Sequence, residues 1–257
     1  APGTPMRELA VKQFSESDGL IVSTPYLKEV YSEFNDRVFV IPNCIDFKLW
    51  NGSGKVSRPG IRIGWSGGAN HDDDLKILVP AIKSIGEKHP DVKFIFYHGL
   101  PAFLRGSPNV VHIKNWARID RYPKTMFSQD FDICVAPLVD NAFNRGKSNL
   151  RWLEASAMGV PSVCSNVGHF AETVHHGEDG FLAEDDEFER YLDLLITDKK
   201  LRKEIGRNAR KRVFDEFNVD KIVFDYVGAL LECREHKISG GSNGQDSDQK
   251  PSQFVRI

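Results

Sequence analysis

Lys147 and Glu154 are the pair of charged residues whose spacing most readily does chemistry in this 257-residue chain. They lie in residues 144–165, NRGKSNLRWLEASAMGVPSVCS, which read as a polar loop, an amphipathic helix, a Gly-Val-Pro corner and a short buried strand. The loop brings Lys147 to a helix start expected at Ser148, with Asn149 beside it as a further candidate for binding. A helix start offers unpaired N–H groups and the positive end of a dipole, so a nearby lysine completes an anion site. At about 3.6 residues per turn, Glu154 falls on the same face, about ten ångströms along. A carboxylate there accepts hydrogen bonds from hydroxyls, a layout that suits a nucleoside diphosphate and its ribose. A competing reading needs no ligand: Arg151 precedes Glu154 by three residues, and an i,i+3 ion pair on a solvated face accounts for both.

Such a helix must be carried by a scaffold, and the chain supplies one. From Gly60 onward, strands alternate with helices: IRIGWSGG, VKFIFYHG, VVHIKNW and FDICVAPLV read as strands, with helical segments between most of them. The helix DDLKILVPAIKSIGEKHP places Leu75, Leu78, Val79, Ile82 and Ile85 on one side, with Pro80 set to kink or shorten it. This alternation implies an α/β fold: a Rossmann-like parallel sheet with helices on both faces. Ligands of such sheets bind at the carboxyl ends of the strands, where Gly67-Gly68, His98-Gly99, Asn115-Trp116, Asp140 and Ser165 all fall. Before Gly60, PMRELAVKQFSES, GLIVSTP, YLKEVYSEF and RVFVIPN read as helix, strand, helix and strand. After Asp185 the pattern is helical, with Phe188, Leu192, Leu195, Leu201 and Ile205 on a core face.

The string KSNLRWLEASAMGVPSV, followed by GHFAETVHHGEDGFLAED, resembles the donor-binding half of GT-B glycosyltransferases. It is similar to the large retaining, family-4-like group that uses nucleotide-activated sugars. Glu154 matches that family's ribose-holding glutamate, and Ala157, Gly159, Pro161 and Val163 match its corner. VIPNCID, residues 40–46, resembles the linker between the two GT-B domains, with Cys44 in place of the usual glycine. The resemblance implies that residues 1–50 are a remnant of the acceptor-side domain and linker, with most of that domain absent. It further implies a nucleotide-sugar-binding domain over 51–218 and a crossing helix over 219–238. The turn-rich segment 51–59 reads as interdomain linker. Residues 239–257, polar and low in apolar side chains, are expected to be disordered.

The resemblance also distributes roles. The turn at Gly67 and Gly68 faces the donor diphosphate by close backbone approach. Many members carry a basic pair after this turn; here stand Ser66 and residues 69–71, so Lys147 becomes the main phosphate cation and the catalytic group, with Arg145 second. Asn115, Trp116 and Ala117 hold the base, Trp116 by packing on it; a core or interface tryptophan is the competing reading. A second glutamate common eight residues before Glu154 is Gly146 here, which leaves the catalytic subtype open.

Other chemistries fit less well. A hydride-transfer enzyme would need G-x-G-x-x-G spacing and an acidic residue after FIFYHG, and neither is present. His71-Asp72-Asp73-Asp74 resembles a metal-binding D-x-D, but three acids opening a helix are explained by capping and dipole compensation. His169, His175 and His176 lack partners at ligand spacing, so no metal and no cofactor beyond the donor itself is expected. The net charge of −2, with 27% charged and 40% hydrophobic residues, gives no support to a nucleic-acid partner. No run approaches a membrane span. Cys44, Cys134, Cys164 and Cys233 are widely spaced, which favours thiols in a reducing, cytoplasmic setting over a disulfide.

The sequence therefore reads as the nucleotide-sugar-binding half of a glycosyltransferase, taking a UDP-, GDP- or ADP-sugar and passing the sugar to an unidentified acceptor. Two alternatives stay open: a non-catalytic nucleotide-sugar-binding or interaction module, and a GT-B sugar-nucleotide epimerase. The apolar strands before residue 50 and the crossing helix, with Ile222, Val223, Tyr226 and Leu230 placed to bury, point to a homo-oligomer or a longer protein.

Overall fold

A computed structural model of the chain describes residues 4–52, 58–68 and 71–240. Its N-terminal part alternates α1 (Pro5–Glu16), β1 (Leu20–Val22), α2 (Pro25–Tyr31) and β2 (Val38–Val40). Both helices open on a Thr-Pro pair. The hydroxyls of Thr4 and Thr24 accept from the amides of Arg7 and Leu27, and the following proline has no amide to leave unpaired. Strands β1 and β2 pair in parallel, with Leu20 opposite Val38.

The main sheet holds β3 (Arg62–Gly67), β4 (Lys93–His98), β5 (Val110–Ile113), β6 (Ile133–Ala136), β7 (Ser162–Ser165) and β8 (Phe181–Ala183). All six are parallel, in the order β5-β4-β3-β6-β7-β8. The chain lays down β3 to β5 toward one edge, then returns beside β3 and lays down β6 to β8 toward the other. The switch between β3 and β6 opens a crevice at their carboxyl ends.

Helices α3 (Asp72–Lys76), α4 (Val79–Lys88), α5 (Tyr122–Gln129), α6 (Ala142–Arg145) and α7 (Leu150–Ala157) fill the first connections. They are followed by α8 (Gly168–Thr173), α9 (Phe188–Thr197), α10 (Lys199–Glu216) and α11 (Val219–Gly240). Strand β4 shows how both faces are covered. Phe94 and Phe96 join Leu75, Ile82, Ile85, Phe188 and Leu192 in one core, while Ile95 and Tyr97 join Trp152, Leu153, Val213 and Phe217 in the other. A strand buried on both sides needs a continuous apolar run, and FIFY is one.

The corner after α7 follows from glycine. Gly159 sits at φ 71, its amide bonds Ser156 O at 2.8 Å, and the Val160 amide bonds Ala155 O at 3.0 Å. This paired closure satisfies the last helical carbonyls and requires a left-handed residue that a Cβ would strain.

Several expectations are corrected. The single helix expected over DDLKILVPAIKSIGEKHP is broken into α3 and α4, because Pro80 has no amide and fits only in a first turn. With that break, Val79 turns outward, while Leu75, Leu78, Ile82 and Ile85 stay buried. The helix expected from Ser148 begins at Leu150, with Asn149 as its N-cap residue. Helix α11 buries Ile222 and Ala229 against Ile41, Phe39 and Cys44. However, Val223, Tyr226 and Leu230 remain exposed, because only one narrow face of α11 meets that small cluster. Residues 53–57 of the expected linker, residues 69–70 of the glycine turn and residues 241–257 of the expected tail lie outside the described residues.

Candidate functional site

The carboxyl ends of β3, β4 and β5 and the start of α7 enclose a cleft of about 400 Å³. Gly67, Gly68, Lys147 and Ser148 line it together with the paired rings of His98 and Trp116, and α7 contributes Arg151 and Glu154. Four separate segments thus meet, as parallel strands require when their connecting loops share one edge.

Glu154 is mostly buried at the back of the cleft. Its Oε2 accepts from the Tyr122 hydroxyl at 3.1 Å, and that hydroxyl lies 3.0 Å from Ser66 Oγ. Burial pushes the Glu154 carboxyl up to about 7, against the Tyr122 bond and the Arg151 charge, which pull the other way. Burial also raises Tyr122, with the neighbouring Glu154 adding to it. The i,i+3 ion pair weighed from the sequence does not form. Arg151 turns instead to Ser66 O at 3.1 Å, to His71 Nε2 at 2.9 Å and over the Trp65 ring at 5.3 Å.

Lys147 lines the cleft, but it is not a loose loop lysine. Its Nζ lies 3.4 Å from Asp74 Oδ2 and 4.9 Å from the centroid of Phe143. Burial lowers its pKa, opposed by Asp74. Asp74 is the group that sequence reasoning missed. Asp72 and Asp73 are exposed in the first turn, where they offset the dipole, although the N-cap residue is His71 and no side chain caps the helix as expected; Asp74 is buried. It accepts from His71 Nδ1 at 2.7 Å, Val139 N at 2.9 Å and Asn144 Nδ2 at 2.7 Å. Burial would raise its pKa, yet these donors and Lys147 hold it at about 2. With both oxygens taken by N–H groups, Asp74 has little left for a metal. Among the described residues no group of three His, Cys, Asp or Glu is placed to hold a metal ion.

The remaining expected residues divide. Trp116 is 74% exposed and meets His98 at 4.7 Å between ring centroids, so it is a cleft wall and not a core aromatic. His98 adopts φ 74, a left-handed conformation uncommon outside glycine, at the point where β4 reaches the cleft. Ser148 Oγ accepts from Asn43 Nδ2 at 2.6 Å, tying the cleft to the segment after β2. Asn149 is fully buried, and neither atom of its amide finds a partner. Asn115 and Ala117 flank Trp116 but do not line the cleft. Arg145 lies outside it, because its guanidinium grips Asp140 at 2.6 and 2.8 Å and is spent there.

Sequence and fold have counterparts among known proteins. The family described as "Glycosyl transferases group 1" matches residues 60–198. The capsular polysaccharide biosynthesis glycosyltransferase CapM of Staphylococcus aureus is 31% identical over 189 residues, covering 68% of this chain and 47% of CapM. The chain thus spans about half the length of that curated relative. The crystal structure of Anabaena HepE in complex with UDP and glucose superposes with a TM-score of 0.68 at 18% identity, over 87% of this chain and 66% of that one. Sucrose-phosphate synthase from Thermosynechococcus elongatus superposes with a TM-score of 0.68 at 18% identity, over 94% of this chain and 63% of that one. Those two likenesses show a shared fold.

Proposed function

Because this chain belongs to the glycosyl transferases group 1 family, we propose that it supplies the nucleotide-sugar-binding half of a glycosyltransferase. The observation that carries the reading is the single cleft in which Gly67-Gly68, Trp116, Lys147-Ser148 and Glu154 meet. The base packs against Trp116, the ribose hydroxyls donate to Glu154, and the diphosphate lies between the glycine turn and Lys147. The chemistry is then mainly leaving-group stabilisation, in which Lys147 and the first amides of α7 neutralise charge as the sugar–phosphate bond breaks. Metal takes no part in this proposal, since the group on the anion side is an ammonium. The structure of HepE in complex with UDP and glucose makes a UDP-sugar the first donor to try.

Among the described residues no helix is long and apolar enough to cross a membrane, and no disulfide joins the cysteines. A cytoplasmic site of action is the setting we propose. The exposed apolar side chains of α11, Phe224 and Leu230 among them, support work within a longer protein or a homo-oligomer.

Incubation with labelled UDP-, GDP- and ADP-sugars tests the reading. Slow release of free sugar is the expected result. Epimerised nucleotide-sugar, or binding with no turnover at all, would replace transferase with one of the alternatives.

Lys147→Ala gives a sharper check. Asp74 keeps three other N–H donors, so the fold should hold. UDP affinity should fall about tenfold or more, the scale of a lost hydrogen bond between charged groups, while uridine affinity stays unchanged. Titration calorimetry with both ligands reads the difference. Equal losses would mean that Lys147 acts through structure and not through charge.

A further inference from the structure

Three side chains on the helix side of the cleft form a relay to which donor binding alone gives no role. Asp74 Oδ2 lies 2.7 Å from His71 Nδ1, and His71 Nε2 lies 2.9 Å from Arg151 Nη2. A guanidinium only donates, so Nε2 must accept. The ring proton is then on Nδ1, and Asp74 receives it. His71 is thereby held in one tautomer, with a carboxylate facing Nδ1 and a guanidinium facing Nε2.

The far end of this relay matters most. The contacts of Arg151 are the backbone carbonyl of Ser66, an imidazole nitrogen and the face of Trp65, all of them uncharged. An arginine gripped by a carboxylate is neutralised, as Arg145 is by Asp140. Arg151 is fixed as firmly, yet its charge is not cancelled by a direct partner, because His71 stands between it and Asp74. It is also well placed: a Cβ at Gly67 would stand 2.8 Å from Arg151 Nη2, so the guanidinium lies directly against the glycine turn.

We propose that His71 is a positioning residue whose tautomer Asp74 fixes, and that together they hold Arg151 against the glycine turn, with no carboxylate in contact, as a cation for the diphosphate of a nucleotide donor. This rests on the donor-binding reading of the same cleft. It assigns the anion side two cations, Lys147 and Arg151, and gives the buried carboxylate between them a purpose. Asp74 fixes both without directly pairing with the second.

Two measurements decide it. In His71→Leu, UDP affinity should fall about tenfold, the scale of one hydrogen bond to a charged group, with uridine affinity unchanged. In His71→Gln, a side-chain oxygen can again accept from Arg151, and most of the loss should be recovered. A purely structural histidine would show no such rescue. Nitrogen NMR of the His71 ring in the ligand-free protein should find the proton on Nδ1, and Asp74→Asn should abolish that preference. The proposal is overturned if leucine and glutamine behave alike, if UDP and uridine weaken together, or if wild-type His71 carries its proton on Nε2. Should wild type bind none of UDP, GDP or ADP, the donor reading fails. The Asp74–His71–Arg151 arrangement itself is then judged by the NMR result: a proton on Nδ1 that Asp74→Asn releases supports it, and any other pattern ends it.

Discussion

Glu154→Ala should weaken nucleotide binding about tenfold to a hundredfold, corresponding to roughly 1.5–3 kcal/mol for hydrogen bonds to a charged acceptor. The structure explains why stability should change little in acid solution, where the Glu154 carboxyl is protonated and carries no burial penalty. Tyr122 OH keeps Ser66 Oγ as a partner, and Arg151 does not depend on Glu154 for its position. The effect should also depend on pH. The Glu154 carboxyl sits at about 7, against an ordinary value of 4.5, because burial penalises its charge. Ribose hydroxyls donate to the ionised form, so wild-type affinity should climb as pH rises through about 7. In Glu154→Gln that climb should be missing. Stability runs the opposite way. A raised folded pKa stabilises the fold fully below the ordinary value, and that contribution is lost as pH rises from 4.5 through about 7. The amount is on the order of 3 kcal/mol. Calorimetric titration and thermal melts over a pH series read both. A pH-independent affinity that survives Glu154→Ala would remove Glu154 from the donor site.

The second large effect is expected at Gly99, just after β4. A Cβ there would stand 2.6 Å from Gly68 O and 2.8 Å from Gly67 O. Both are backbone atoms, so the glycine turn itself must move. Gly99→Ala should cost about 1–3 kcal/mol of stability, as overpacked sites do. It should lower the melting temperature by several degrees and weaken UDP binding along with it. Gly68→Ala is the control. Among the described residues a Cβ at Gly68 meets nothing within 4 Å, so stability should hold. Affinity for UDP should still fall, because the added methyl group occupies the space where phosphate approaches backbone. If Gly68→Ala binds UDP as wild type does, the turn does not face the diphosphate.

Much of this was readable in the residues. Unbroken runs such as FIFY and ICVA specify strands buried on both faces. The alternation with helices specifies a parallel sheet, because a parallel pair needs a crossover between its strands. The corner of Ala157, Gly159, Pro161 and Val163 needs glycine at its left-handed position and proline where a helix cannot continue. Helical period put Glu154 on one face with Lys147, and both line the cleft, although α7 begins only at Leu150. All of these are short-range consequences of backbone geometry and of where apolar side chains repeat.

What the sequence could not assign is who partners whom. Arg151 and Glu154 stand at ion-pair spacing on one helix, yet Arg151 reaches across to His71 and Ser66 on the far side of the glycine turn. Arg145 stood second to Lys147 as a phosphate cation, and Asp140 takes it out of the cleft. Asp74 looked like a helix-start acid, and it is a buried acceptor for Val139, Asn144 and Lys147, which lie 65 to 73 residues further along the chain. Period and propensity act over one or two turns. Partnerships of this kind are decided by which loops the strand order brings to the same edge of the sheet, and by the cost of leaving a buried charge unpaired once they meet there.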